Sequence, residues 1–153
     1  MAIYLVQHGI SLGKDIDPER GLSSEGMQDV ERIASIAQAY KLAVKKIVHS
    51  GKKRAEQTAE IFNQYLQPED GVQAITGIAP MDDVAVFARQ LDAESQLMVV
   101  GHLPFMEKLT AYLTTEDENK LVFKFQNGGI VCLDKLPENT HWVIISSLMP
   151  QVA

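Results

Sequence analysis

The sequence has little of three features that would each indicate a different kind of protein. Cys132 is the only cysteine among 153 residues, so the chain cannot form an internal disulfide. No apolar stretch approaches the roughly 20 residues that span a bilayer. The first residues also lack the basic segment and unbroken apolar run of a signal peptide. We therefore expect a cytoplasmic protein with no membrane partner.

Positive charge is also scarce. The chain has 14 Lys and Arg against 20 Asp and Glu, which gives a formal net charge of -6. Proteins that bind nucleic acid rely on basic surface to neutralise phosphates, so we expect no nucleic-acid partner. No close-spaced ligand motif such as HExxH is present, and we expect no metal and no other cofactor. The length predicts one domain covering residues 1-153.

The first predicted strand and the residues just after it carry the main indication of function. Ala2 to Val6 is an apolar run too short for a helix, and it stops at Gln7-His8-Gly9. His8 is therefore predicted to stand at the carboxyl end of a buried strand, the edge at which open α/β sheets bind their ligands. A lone histidine at such a position is more often a structural hydrogen-bonding residue, so the prediction needs partners from elsewhere in the chain.

The rest of the chain alternates strands with helices. Apolar runs predict strands at 2-6, 46-49, 72-76, 96-100, 121-125, 129-133 and 142-147. Helical spacing predicts helices at 24-40, 54-66 and 104-114, with a short one after Asp82 or Asp83. Turns are predicted at 127-129 and 137-139.

This order predicts a single-domain α/β sandwich of three layers. Its central sheet should be mostly parallel, with antiparallel strands added at the edge by the last third of the chain. His102 follows a second buried strand, beside Gly101, and Arg54 opens the helix after a third. Parallel strands would bring His8, His102 and Arg54 to one edge of the sheet. Two imidazoles and a guanidinium suit a doubly charged oxyanion such as phosphate.

With these residues assembled, the sequence resembles the histidine phosphatase superfamily (phosphoglycerate mutase-like), and within it the SixA-type phosphohistidine phosphatases. Four segments in order carry the resemblance: Leu5 to Gly9 where the family has an RHG motif, Arg20 to Gly26 where SixA-like members have R-P-L-T-x-x-G, SGKKRAEQT at 50-58, and Val99 to Pro104. The match covers nearly the whole chain and implies the same α/β sandwich.

The resemblance implies a role for each matched residue. His8 would be the nucleophile that accepts the phosphoryl group, Arg54 would hold the phosphate, and His102 would stabilise the group in transfer. Arg20 would be an accessory phosphate ligand. Gln7 stands where the family has Arg, and its amide can bind phosphate only without charge.

Two further points concern the same site. Ser11 is placed to reach the phosphate from the loop after the first strand. Asp82 and Asp83 are the two candidates for a general acid, and both fit equally the simpler role of helix caps.

The expected function is metal-independent hydrolysis of a phosphoryl group through a phosphohistidine on His8, with activity lowered by Gln7. The expected substrate is a phosphorylated protein, such as a histidine-containing signalling domain, or a small phosphorylated molecule. Two alternatives stay open. One is a weak or inactive protein that binds a phosphorylated ligand in the same pocket, and the other is a metal-dependent hydrolase that uses His8, His102 and an Asp.

Overall fold

A computed structural model describes residues 1-138 and 141-152. Within them, strands form at β1 (Ile3–Gln7), β2 (Lys46–His49), β3 (Val72–Ala74), β4 (Leu97–Gly101), β5 (Ile130–Asp134) and β6 (Val143–Leu148). Helices form at α1 (Ser24–Ala39), α2 (Lys53–Leu66), α3 (Val84–Ala88) and α4 (Phe105–Thr115), with one turn of 3₁₀ helix at Ala93–Ser95. No helix among these residues has the length and apolarity needed to cross a bilayer.

The strands form one sheet in the order β3-β2-β4-β1-β5-β6. Strands β3, β2, β4 and β1 run parallel, while β5 and β6 pair antiparallel at one side. The mostly parallel sheet with antiparallel strands at its edge confirms the predicted fold class. Because β1, β2 and β4 point the same way, the residues that follow them meet at one edge of the sheet.

Alternating side chains of each strand enter two separate cores, which makes the architecture three-layered. In β1, Tyr4 and Val6 pack into the core under α1 and α2. Ile3 and Leu5 point to the opposite core, under α3 and α4. All five β1 residues are buried, as expected of a central strand covered on both faces.

Two differences from the sequence prediction concern the last third of the chain. The strand predicted at 121-125 is wrong, because that segment has no regular secondary structure. Leu121 and Val122 are exposed, and the backbone N–H of Phe125 donates to the Glu107 carboxylate at 3.0 Å instead of to a neighbouring strand. The turn at 127-129 forms at Asn127 and Gly128, while the last residue of the turn predicted at 137-139 lies outside the described residues.

Helix α1 begins against the loop that follows His8. Ser23 caps it by accepting a hydrogen bond from the Gly26 N–H at 3.0 Å, and the Ser23 N–H donates to the Ile10 carbonyl at 2.9 Å. A Cβ at position 26 would overlap the carbonyl oxygen of Ile10. The close approach of helix and loop therefore depends on a glycine at that position.

Gly26→Ala is expected to destabilise the fold, by about 1–3 kcal/mol, because the new methyl group pushes α1 away from the Ile10 loop. In an unconstrained helix the same substitution would be stabilising. Glu31→Ala, at an exposed position of α1, is the matched control and should change stability by less than about 0.5 kcal/mol. Urea unfolding measures the stability of both variants. A Gly26→Ala variant as stable as the parent would show that the contact between α1 and the Ile10 loop does not depend on a glycine.

Candidate active site

The backbone around His8 is fixed by three other segments. The His8 N–H donates to the Gly101 carbonyl at 3.0 Å, and the Asn127 side-chain amide donates to the His8 carbonyl at 2.9 Å. The Gly9 N–H donates to Thr58 Oγ1 at 3.0 Å. Strand β4, the 127-128 turn and helix α2 together hold the end of β1, so the imidazole starts from a rigid position.

The His8 ring has one nitrogen engaged and one available. Nδ1 lies 2.7 Å from the Gly9 carbonyl oxygen, which can only accept, so this nitrogen carries the proton and Nε2 keeps its lone pair. Burial, and to a smaller extent the charges of Arg54 and Arg20, lower the pKa of His8 to about 4, although the hydrogen bond to Gly9 acts to raise it. At pH 7 the ring is therefore neutral, the form in which imidazole is a nucleophile.

His102 lies beside His8, with a distance of 5.0 Å between ring centroids and an angle of 54° between ring planes. Its Nε2 is 2.6 Å from Ser50 Oγ, while its Nδ1 is buried and has no hydrogen-bond partner among the described residues. Burial, then the proximity of His8 and Arg54, lowers the pKa of His102 to about 3. In the free protein both imidazoles are neutral.

The predicted side chains line one pocket at the carboxyl edge of the sheet, which we call the phosphate pocket. Its volume is about 400 Å³. The residues around it are Gln7, His8, Ile10, Ser11, Arg20, Arg54, Pro80, His102, Leu103 and Asn127. All six residues singled out from the sequence are in this set, and none of the lining residues is an Asp or Glu. With neutral histidines, the two guanidiniums give the pocket a charge of +2.

Arg54 belongs to the first turn of α2, and its Nε is buried with no hydrogen-bond partner among the described residues. Gln7 has the same feature at the end of β1: the residue is 8% exposed, and its Oε1 is buried and unpartnered there. Together with His102 Nδ1, three polar atoms around one pocket lack protein partners. Buried polar atoms are nearly always hydrogen-bonded, so this grouping indicates a site for a polar ligand.

The loop between β1 and α1 holds Arg20 in place. Arg20 has a left-handed backbone (φ 54°), and its Nη2 donates to Ser11 Oγ at 3.3 Å. The Asp17 carboxylate accepts from the Gly21 N–H at 2.9 Å and from Lys53 Nζ at 2.9 Å. The hydrogen bond from Lys53 is the main cause that lowers the pKa of Asp17 to about 2. Lys53 is thus committed to the loop and adds no spare charge.

The two candidates for a general acid both bind backbone N–H groups. Asp83 is the N-cap of α3 and accepts from the Ala85 N–H at 2.9 Å. Asp82 closes the turn before α3 by accepting from the Ala79 N–H at 2.8 Å, so it is not a helix cap. Neither is among the described residues that line the phosphate pocket. Of the two roles that the sequence left open, Asp83 has the capping role.

Sequence reasoning missed three residues that hold the site together: Ser50, Thr58 and Asn127. Ser50 follows the last residue of β2, so the rule that singled out His8 applied to it as well. Its hydroxyl contacts His102 Nε2 at 2.6 Å and also accepts weakly from the Lys52 N–H at 3.4 Å. Thr58 and Asn127 carry no signal of their own, because their contacts join segments far apart in the chain.

A metal site of the kind required by a metal-dependent hydrolase does not form in the described part of the chain. No group of three or more His, Cys, Asp or Glu side chains converges within residues 1-138 and 141-152. His49, the other histidine near this edge, is buried and accepts from the Gly51 N–H at 3.1 Å.

The sheet order and the three layers define an α/β sandwich with the fold seen in solved histidine phosphatase structures. No protein-family model matches the chain. A comparison with curated proteins finds phosphohistidine phosphatase SixA of Escherichia coli (strain K12), 25% identical over 119 residues, which are 74% of this chain and 74% of that protein. The chain is thus a homologue of SixA.

Solved structures agree with this assignment of the fold. The protein histidine phosphatase SixA complexed with tungstate superposes with a TM-score of 0.83 and 22% identity, covering 98% of this chain and 97% of the other. A SixA-like protein described as a phosphohistidine phosphatase, from Agrobacterium tumefaciens, gives a TM-score of 0.77 and 24% identity over 97% of each chain. The likeness extends over nearly the full length of each chain.

The depressed pKa values make a prediction about pH. A free imidazole is about nine-tenths protonated at pH 5.5, whereas His8 and His102 are expected to stay neutral there. The unfolded chain takes up these protons near pH 6.5 and the folded chain only near 4 or below. The free energy of unfolding should therefore fall as pH drops from about 6.5 toward 4.

Nuclear magnetic resonance of ¹⁵N-labelled imidazoles tests the first part and also the proton on Nδ1 of His8. Urea unfolding at pH 7 and pH 5 tests the second, with His8→Gln and His102→Gln reducing the pH dependence. Ordinary titration of both rings near pH 6.5 would show that burial does not control the site.

Proposed function

We propose that this chain is a phosphatase that takes the phosphoryl group from protein phosphohistidine, through a phosphohistidine intermediate on His8 and without a metal. The observation that carries the proposal is the His8 ring itself: neutral, fixed through Nδ1, and with a free Nε2 beside two guanidiniums. Kinship with SixA supports the same substrate class.

The first step is in-line attack of His8 Nε2 on phosphorus. The new N–P bond forms as the bond to the leaving group breaks, and the positive charge that develops on the His8 ring is shared with the Gly9 carbonyl through Nδ1–H. Arg54 and Arg20 hold the equatorial oxygens, and His102, whose ring centroid lies 5.0 Å from that of His8, stabilises the group in transfer. Positioning and charge stabilisation supply the catalysis.

The second step is attack of water on the phosphohistidine. The N–P bond breaks and His8 departs as neutral imidazole, because Nδ1 already carries its proton. The water loses one proton to the phosphate or the solvent, and inorganic phosphate leaves. The bond to Gly9 thus makes His8 a good nucleophile in the first step and a good leaving group in the second.

The preference for phosphohistidine follows from the leaving group. An alkoxide needs a general acid, whereas a histidine protonated on its second nitrogen leaves as neutral imidazole without help. No Asp or Glu among residues 1-138 and 141-152 lines the phosphate pocket, and Asp82 and Asp83 accept hydrogen bonds from the backbone N–H groups of Ala79 and Ala85. Phosphoramidates are therefore the substrates that this set of residues can cleave.

Incubation with a phosphohistidine peptide is expected to place acid-labile, base-stable phosphate on His8, with release of inorganic phosphate. An alkyl phosphate such as phosphoserine should label the protein and turn over at least about a hundredfold more slowly, because its alkoxide finds no acid. Mass spectrometry under neutral conditions locates the label, and phosphate release gives the rate.

His8→Ala should abolish both label and turnover, and His141→Ala, at a partly exposed position, is the matched control that should change neither. A chelator should have no effect on the parent. Binding of phosphate without any label on His8 would favour the alternative, a phospho-ligand binding protein, for which the neutral Gln7 is the supporting feature.

Gln7→Arg is expected to raise turnover. A guanidinium bound to phosphate is worth on the order of 1.5–3 kcal/mol more than a neutral amide, which corresponds to roughly ten- to a hundredfold in rate if the gain falls on the transition state. Gln7→Met, of similar length but unable to donate, should lower turnover. Steady-state rates with a phosphohistidine peptide measure both, and unchanged rates would show that position 7 does not limit the reaction.

A further inference from the structure

A second cavity, of about 680 Å³, opens beside the phosphate pocket and shares Arg20 and Arg54 with it. We call it the side cavity. Two segments supply the rest of its lining. The loop between β1 and α1 contributes residues 14, 18 and 19, and the start of α2 contributes residues 51-53 and 56. Because Arg20 and Arg54 line both spaces, a ligand in the side cavity would lie next to a phosphoryl group in the phosphate pocket.

The side cavity concentrates positive charge on a protein whose net charge is -6. Lys53 is neutralised by Asp17 at 2.9 Å and Glu19 at 3.6 Å. Lys14 and Lys52 are exposed, and neither forms an ion pair within the described part of the chain. The positive charges of these two lysines are therefore available to a ligand in the side cavity.

Lys52 is also close enough to act on the reacting groups. It lies two residues after Ser50, whose hydroxyl contacts His102, and its charge is among those that lower the pKa of His102. The side cavity and the phosphate pocket therefore share one electrostatic environment. A ligand with a negative group at Lys52 could therefore place its phosphoryl group in the phosphate pocket at the same time.

We propose that the side cavity binds carboxylate side chains next to the phosphohistidine of the substrate protein, so that Lys14 and Lys52 select an acidic segment. The inference rests on the proposed function and narrows its substrate class. The two lysines stand on separate loops, a spacing that suits single carboxylates along an extended chain. A compact polyphosphate would instead concentrate its charge beside Glu19 and Glu56, which also line the side cavity.

Binding of two synthetic peptides tests the proposal. Each carries a stable phosphonate analogue of phosphohistidine, flanked in one by Asp and Glu and in the other by Asn and Gln. The acidic peptide is expected to bind roughly tenfold more tightly at low salt, a preference that shrinks as salt is raised. Lys14→Glu combined with Lys52→Glu should abolish the preference, so that the dissociation constant of the acidic peptide rises about tenfold more than that of the neutral peptide.

Lys120→Glu combined with Lys135→Glu is the matched control. Both lysines are exposed, and they follow α4 and β5 at the opposite edge of the sheet, so this variant has the same change of charge and should keep the preference. Equal binding of the two peptides by the parent would overturn the proposal. So would a preference that survives in the Lys14/Lys52 variant, or an equal weakening of both peptides, which would mean that the lysines contact the phosphoryl group itself.

Turnover of free phosphohistidine is measured in parallel. Turnover without a preference for the acidic peptide would refute only the role of the side cavity. A preference without turnover would refute only the proposed hydrolysis, because the phosphonate probe is not cleaved. Failure of both peptides to bind would refute the role of the side cavity, whatever the result with free phosphohistidine.

Discussion

The hydrogen bond from His8 Nδ1 to the Gly9 carbonyl is the interaction on which the rest of the site depends. It decides which nitrogen is free, and it exists only because the chain turns at Gly9 in close contact with α1. A Cβ at position 9 would stand 2.8 Å from Val30 Cγ2, so no other residue fits there without displacing the helix. The packing of α1 against Gly9 thus helps to fix the carbonyl that decides which nitrogen of His8 is free.

The elements that the sequence predicts well are those whose signal is local. The sequence predicts strand β2 residue for residue, because it is a short run of β-favouring residues. It predicts α1 to within one residue, because apolar residues recur there at helical spacing after a capping serine. The segment 121-125 has the same apolar composition and forms no strand. Its Phe125 N–H donates instead to the carboxylate of Glu107 in α4, at 3.0 Å. Which partner a backbone group meets depends on tertiary packing, which the local apolar pattern does not contain.

The candidate site divides in the same way. Topology alone brings His8, His102 and Arg54 together, because residues after parallel strands share an edge. A count of charges in the sequence does not show that Asp17 and Glu19 neutralise Lys53. Such a count also does not show that burial keeps His102 neutral. The neutralisation of Lys53 and the burial of His102 both depend on contacts between segments that are distant in the sequence. The spacing of residues along the chain does not reveal such contacts.

Charge balance explains how a buried pair of histidines can handle a dianion. With both rings neutral, Arg20 and Arg54 supply two positive charges, equal and opposite to those of a phosphoryl group. A third or fourth charge on the imidazoles would face these guanidiniums in a desolvated pocket, and their low pKa values express that cost. Burial is the largest cause of both low pKa values, and the guanidiniums add to it. The same enclosed position that brings His8 close to two cations therefore also keeps its ring neutral, which is the form a nucleophile needs.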